Sequence, residues 1–268
     1  MSTAQIRDLP SATSLDGSEL VELQKAAGGV GSSEQTPNGA LLPPGYIEGL
    51  KMQWVSGNAI TVSSGSAYIP SLGRVVRASA AMALSGLALA TSTWYHVYLY
   101  LNAGTPTLEC VTTAPAAAYF GTARTKTGDT SRRYVGSVNT DASGNVIAFY
   151  HDSNSNEVGY LADIGTPMLS LLSGGASLTP TNVSCSNAMP ITARFITLFV
   201  ENTASGGCGI GNSQTTTSGA NLFYVRGIDQ PVIAKVLADS NQAIQYHYFS
   251  AISSGGLSIY SNGYTYER

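Results

Sequence analysis

The chain is poor in charge, cysteine and histidine. Only 11% of its 268 residues are Asp, Glu, Lys or Arg, against ~25% in an ordinary soluble domain. That does not suit a cytosolic enzyme with a solvated, charged surface; it suits an all-β extracellular or virion protein. Thirteen basic residues against sixteen acidic ones give a net charge of −3 and a pI of 5.5. Phosphate binding needs clustered Lys and Arg, so nucleic acid is not an expected partner. The one basic cluster, Arg124-Thr125-Lys126 with Arg132-Arg133, is interrupted by Gly128 and Asp129 and reads as a solvated loop or an interface.

Cys110, Cys185 and Cys208 have neither metal-site spacing nor the even count of a disulfide framework. They are expected to be buried free thiols. His96, His151 and His247 lie far apart, without nearby cysteine or paired carboxylates, so no metal and no cofactor is expected. No apolar run is long enough to span a bilayer, and no membrane insertion is expected; the apolar stretch 78–90 is broken by Ser85-Gly86. No basic n-region followed by an apolar h-region opens the sequence. The expectation is synthesis in a cytoplasm without the ordinary secretory route, which leaves the sequon Asn182-Val183-Ser184 idle.

Catalytic patterns are missing as well. There is no Gly-X-Ser-X-Gly elbow, and 206–211 (GGCGIG) reads as a turn because no helix follows it to hold a phosphate. Whether Glu109, Asp152, Glu157 and Asp163 converge is left open by the sequence, and paired carboxylates are what glycosidases need. Polysaccharide-cleaving spikes are usually built from long repetitive β-helices, however, and no internal repeat is visible. No catalytic residue is named, and the chain is not expected to be an enzyme.

What is present is a grammar of short strands and turns, with 29 glycines against a norm of ~7%. Residues 43–76 organise it. Pro43-Pro44-Gly45 sets an extended approach and a bend, Leu50, Met52 and Trp54 alternate with Lys51, Gln53 and Val55, and turns at 56–58, 63–65 and 70–73 divide a meander. The strongest strand is 94–101 (WYHVYLYL), apolar on both faces and hence expected at the centre of a sheet. Further strands are expected at 108–111, 134–138, 146–150 and 158–161, with 115–130 as a long surface connection. Beyond Ser173-Gly174-Gly175 come 182–186, 194–200, 222–226, 234–237, 245–250 and 257–260, and Ser261-Asn262-Gly263 reads as a type I′ hairpin turn.

The expected fold is all-β in three parts. Residues 1–45 form an extended arm that orders against a partner, with Ile6, Leu9, Leu15 and Leu20 as its apolar anchors. Residues 46–172 form a β-sandwich-like shoulder, and 173–268 a β-sandwich or jelly-roll tip. Tyrosine, at 15 residues, outnumbers Phe and Trp together. Its flat apolar face and hydroxyl suit sugars or protein surfaces, and equally the filling of a core. The long polar stretch 202–221 reads as a binding loop. From these features the residues expected to meet a receptor are Asn212, Gln214, Thr216, Tyr246, His247 and Tyr264.

Two stretches carry a family resemblance. Ile6-Arg7-Asp8-Leu9-Pro10-Ser11-Ala12 followed by Leu15-Asp16-Gly17-Ser18-Glu19-Leu20-Val21 resembles the leader of many tailed-bacteriophage tail-fibre proteins. Residues 43–50, Ser71-Leu72-Gly73-Arg74 and Trp94-Tyr95-His96-Val97-Tyr98 are similar to the β-module of the same group. The resemblance covers most of 1–165, and the C-terminal part matches less specifically. It implies a homotrimeric receptor-binding protein of the virion tail. The arm would dock on other tail or baseplate proteins, and the tip would hold a bacterial surface glycan or pilus without cleaving it. Low charge fits outer faces buried between subunits. Two alternatives stay open: a structural tail or baseplate connector without receptor contact, and a polysaccharide-cleaving spike.

Overall fold

The computed structural model describes residues 20–24, 33–37, 42–161, 169–214, 223–228 and 231–268. Among these residues the regular elements are strands, apart from a 3-10 turn at Pro70–Leu72, so the all-β expectation holds. β1 (Leu20–Gln24) pairs antiparallel with β2 (Ser33–Pro37). Of the expected arm anchors, Leu20 opens β1, while Ile6, Leu9 and Leu15 lie outside the described residues.

Residues 43–76 contain the expected short strands, but not as one meander. β3 (Ile47–Gly49), β6 (Gly65–Ile69) and β7 (Arg74–Ala78) form one three-stranded sheet. β4 (Met52–Ser56), β5 (Ala59–Val62) and β8 (Met82–Leu84) form another. The switch between them is made at Gly49-Leu50, where φ is +63° and +52°. A left-handed leucine costs roughly 1–2 kcal/mol. Leu50 is fully buried, and burying that side chain returns ~1.5–3 kcal/mol, so the strained corner is held from inside. Gly65 is required opposite it, because a Cβ there would meet Glu48 O and sit 2.5 Å from Leu50 N.

β9 (Trp94–Asn102) lies between β10 (Thr105–Val111) and β12 (Asp129–Asn139), with β11 (Thr125–Lys126) on the far edge of β12. Successive residues His96, Val97, Tyr98 and Leu99 are all buried, which is the two-sided cover that apolar bulk on both faces requires. A two-residue turn joins β9 to β10, with Ala103 and Gly104 at φ +47° and +84°, the positive pair of a type I′ hairpin. The stretch 115–130 is more than the plain connection its lack of periodicity suggests. It contains β11 and the bridges Pro115↔Lys126 and Phe120↔Ala123, and the Tyr119 hydroxyl donates to Pro44 O at 2.9 Å.

The largest sheet runs β13 (Phe149–His151), β14 (Glu157–Tyr160), β22 (Leu257–Tyr266), β17 (Ala193–Asn202), β20 (Val232–Leu237), with β15 (Leu169–Gly175) also on β22. Hydrogen bonding therefore crosses residue 172, where a boundary between shoulder and tip was expected. β22 also corrects the reading of Ser261-Asn262-Gly263. The chain does not reverse there; β22 continues for ten residues. Thr197 faces Gly263 and Leu198 faces Ser261, so Asn262 is the extra residue of a β-bulge. Gly263 has φ +152°, and a Cβ on it would strike Val158 O. The glycine serves close strand approach, not a hairpin. The last sheet is β16 (Thr181–Ser184), β21 (Ala243–Tyr248), β18 (Cys208–Gly211) and β19 (Phe223–Val225). Here 208–211, expected as a turn, is a strand: Cys208 and Ile210 alternate into the core, both fully buried.

One continuous core joins these sheets. At its centre Tyr98, Tyr134, Tyr160, Tyr264 and Tyr266 pack edge to face or tilted, with centroids about 6 Å apart: Tyr134–Tyr266 at 6.2 Å, Tyr160–Tyr264 and Tyr264–Tyr266 at 6.1 Å, and Tyr98–Tyr134 at 5.9 Å. Each hydroxyl has a partner, namely Thr113 O for Tyr98, Ser137 and Thr192 for Tyr134, Ala188 O for Tyr160, Ser137 O for Tyr264 and Val135 O for Tyr266. A buried hydroxyl left unpaired costs about 1–3 kcal/mol, so these six bonds fix how the strands meet. Two arginines fasten residues 45–50 to this core. Fully buried Arg133 donates to Arg124 O, Tyr134 O and Gly45 O, and Arg268 donates to Leu50 O and Gly49 O, both at 2.8 Å. Burial lowers the Arg133 pKa to about 10.

Two histidines inside the fold make it sensitive to acid. Burial pushes His96 down to about 4. Burial, with Arg268 and Lys51 nearby, pushes His151 down to about 3, and its Nδ1 accepts the Met52 N–H at 3.1 Å. Both are neutral in the fold and protonate near pH 6.5 once unfolded, so the unfolded chain binds more protons below that pH. Their stabilisation is complete above pH 6.5 and is lost as pH falls towards 4 and then 3. For His96 it amounts to roughly 3 kcal/mol. The expected result is a thermal midpoint that drops between pH 7 and 4, with a shallower drop in H96Q.

Candidate functional site

The outer face of the β16–β21–β18–β19 sheet carries an aromatic shelf. It arises from alternation. In β21, Ile244, Tyr246 and Tyr248 point inward, exposed by only 0%, 4% and 1%, which turns Gln245 and His247 the other way and leads to Phe249. In β18, inward Cys208 and Ile210 leave Gly209 and Gly211 outward, so this strand lays a floor without side chains. Gly209 faces Tyr224 of β19 on one side and His247 of β21 on the other. Gly207 continues the floor: its carbonyl accepts the Phe249 N–H at 3.2 Å, and a Cβ on it would run into the Tyr224 ring, 2.5 Å from Cζ.

On that floor Tyr224 and Phe249 stack at 5.5 Å with 30° between their planes, and Phe249 meets His247 edge-on at 5.0 Å. Tyr224 is 56% and Phe249 52% exposed. Large rings stacked on one another and still half open to water form a ready-made apolar plane with a hydroxyl at its rim. His247 lies beneath the edge, 8% exposed, and its Nδ1 has no hydrogen-bond partner among the described residues. Beside it, Gln245 Nε2 donates to Asn182 Oδ1 at 2.7 Å, giving the shelf a polar neighbour. The arrangement offers stacking and hydrogen bonding but no activated nucleophile.

The structure brings few of the expected receptor residues to this surface. His247 lies buried under the edge of the shelf, against Phe249. Tyr246 and Tyr264 do not reach water; their rings fill the core, at 4% and 1% exposure. Asn212, 1% exposed, pins its loop to the end of β20, donating to Leu237 O at 2.9 Å and accepting the Gln214 N–H at 3.0 Å. These three are structural because inward alternation or backbone bonding consumes them. Gln214 is exposed on the wall of a separate cleft of about 350 Å³. Thr216 lies outside the described residues. The sequence reading missed Phe249 and did not single out Tyr224 from the other tyrosines. The inward pattern Ile244-Tyr246-Tyr248 would have placed Phe249 outward.

Other chemical groups are occupied. Glu109 pairs with Lys126 at 2.9 Å and Arg132 at 3.4 Å, and Glu157 pairs with Lys235 at 3.0 Å, so these two carboxylates sit in different sheets, each with its own cations. Asp163 lies outside the described residues. All three cysteines are free, Cys185 and Cys208 buried and Cys110 half-buried, and burial raises each thiol to about 12. Among the described residues no three His, Cys, Asp or Glu side chains gather as a metal site, and no helix is long and apolar enough to cross a membrane. Comparison with protein-family models and with curated proteins finds no match, so the functional reading rests on this chain's own residues.

Proposed function

We propose that the chain is a receptor-binding protein of a bacteriophage tail fibre, attaching the virion to a bacterial surface glycan or pilus by non-catalytic contact. The observation that carries this reading is the Tyr224–Phe249 stack, a half-exposed aromatic plane on a rigid β-scaffold. Pyranose rings present apolar C–H faces that lie against such a plane, and pilus side chains do the same. The low charge and the leader at 6–21, with its likeness to tail-fibre leaders, support placing it in a virion tail. In this scheme the arm joins the tail or baseplate, and residues 173–268 form the tip. Labelled chain is expected to bind some members of a panel of bacteria and to block phage adsorption to them, while leaving isolated surface polysaccharide at full length. Binding to no strain would defeat the reading, and shortening of the polysaccharide would favour the cleaving spike.

A trimer belongs to the same proposal. The outer face of β17, β20 and β22 exposes Ile233 at 67% and Phe195 at 40%, with Phe199 and Tyr260 in ring contact at 6.2 Å. Its one charged pair, Lys235–Glu157, is internally balanced. Copies meeting there would bury apolar area, and three weak shelves would gain by effective concentration. I233E is expected to shift the native mass from three copies towards one. This face also gives the connector reading its best support; a connector would keep its assembly function when Tyr224 and Phe249 are removed.

A further inference from the structure

The cleft beside Gln214 holds a cation without a side-chain partner among the described residues. It is bounded by the start of β17, the end of β20, the loop at 212–214 and Arg124 from the segment before β11, and encloses about 350 Å³, within the ~300–1,000 Å³ range of small-molecule sites. Four charged side chains line it, two of each sign: Arg124, Arg194, Asp239 and Glu267. Three of them are committed. Asp239 accepts the N–H groups of Asn241 and Ala243 at 2.9 and 3.0 Å and the Ser213 hydroxyl at 3.1 Å. Glu267 faces Arg124 Nη2 at 3.5 Å, and Arg124 Nη1 donates to Ala116 O at 3.2 Å. Exposed Arg194 makes no side-chain hydrogen bond or ion pair among the described residues.

We propose that this cleft binds a sugar carrying a carboxylate, with Arg194 holding the acid group. A guanidinium presents a planar pair of donors that matches a carboxylate. The remaining lining suits the rest of such a ligand. The Gln214 amide and Ser240 hydroxyl are placed for ring hydroxyls, and Ile191, 59% exposed at the lip, offers an apolar face to ring C–H groups. A neutral sugar would leave Arg194 unused, and a bare anion would leave the amide, hydroxyl and Ile191 unused. Arg124 acts as a positioning residue, since its charge is shared with Glu267. The inference rests on the surface-binding reading for the source of the sugar, as an acidic residue of a bacterial glycan.

Isothermal titration calorimetry of the full chain, with galacturonate, galactose and inorganic phosphate as separate probes, tests it. Galacturonate is expected to bind at least ~10-fold more tightly than galactose or phosphate, the scale of one charge-assisted contact. R194A should remove that preference, and R194K should keep part of it. Because the Arg194 side chain is exposed and makes no bond among the described residues, R194A should retain the wild-type thermal midpoint. Equal binding of galactose, equal binding of phosphate, undiminished galacturonate binding by R194A, or no galacturonate binding at all would each overturn the proposal. Attachment of the same chain to cells is read separately, so loss of the cleft site leaves the shelf reading standing, and the reverse.

Discussion

Replacing Tyr264 by alanine is expected to cost about 3–5 kcal/mol, the range for removing a large buried ring, out of the ~5–15 kcal/mol that holds a typical domain together. The ring is 1% exposed and touches three others: Trp94 at 5.9 Å, and Tyr160 and Tyr266 at 6.1 Å. Its hydroxyl donates to Ser137 O of β12 at 3.0 Å. Tyr264 thus ties β22 to the β9–β12 sheet while its own strand carries β14, β15 and β17. Little in such a packed junction can collapse into the vacated space. Tyr264→Phe keeps the ring and loses one hydrogen bond, about 1 kcal/mol. Chemical denaturation of the three chains should rank wild type, Y264F and Y264A in that order. An alanine variant within ~1 kcal/mol of wild type would mean that the tyrosine cluster does not hold the sheets together.

Removing the shelf should do the opposite, leaving the fold intact and abolishing attachment. Tyr224 and Phe249 are more than half exposed and their main partners are each other, so the double alanine variant forfeits little core. Central aromatic anchors commonly cost 2 kcal/mol or more when truncated at an interface, which is ~30-fold in affinity at each site. With several linked sites the loss compounds.

How much of this was legible in the sequence depended on how local the cause was. Strand β9 could be placed because apolar bulk on both faces has one outcome, and the β9–β10 hairpin because its turn follows directly. Most C-terminal strands lie within two or three residues of their expected bounds, since alternation marks them. The Asn262-Gly263 pair misled because the dipeptide that favours a type I′ turn also suits a bulge. What decides between them is the carbonyl of Val158, about a hundred residues earlier in the chain, and no local pattern contains it. The same holds for the two sheets built from 47–84, where the left-handed corner at Gly49-Leu50 sends alternate strands to different partners. The shelf was half legible. Tyrosine supplies one of the two shelf rings, but Tyr246 and Tyr264 were placed on the wrong side of their strands, because facing is set by which neighbours cover the sheet.

The claim on which the account turns is that attachment to a cell runs through the Tyr224–Phe249 plane. The direct measurement is fluorescence of labelled wild-type chain and of Y224A/F249A bound to the same bacteria, each paired with its thermal midpoint. The account predicts at least ~30-fold weaker binding by the variant at an unchanged midpoint. Equal binding by the two chains would contradict it.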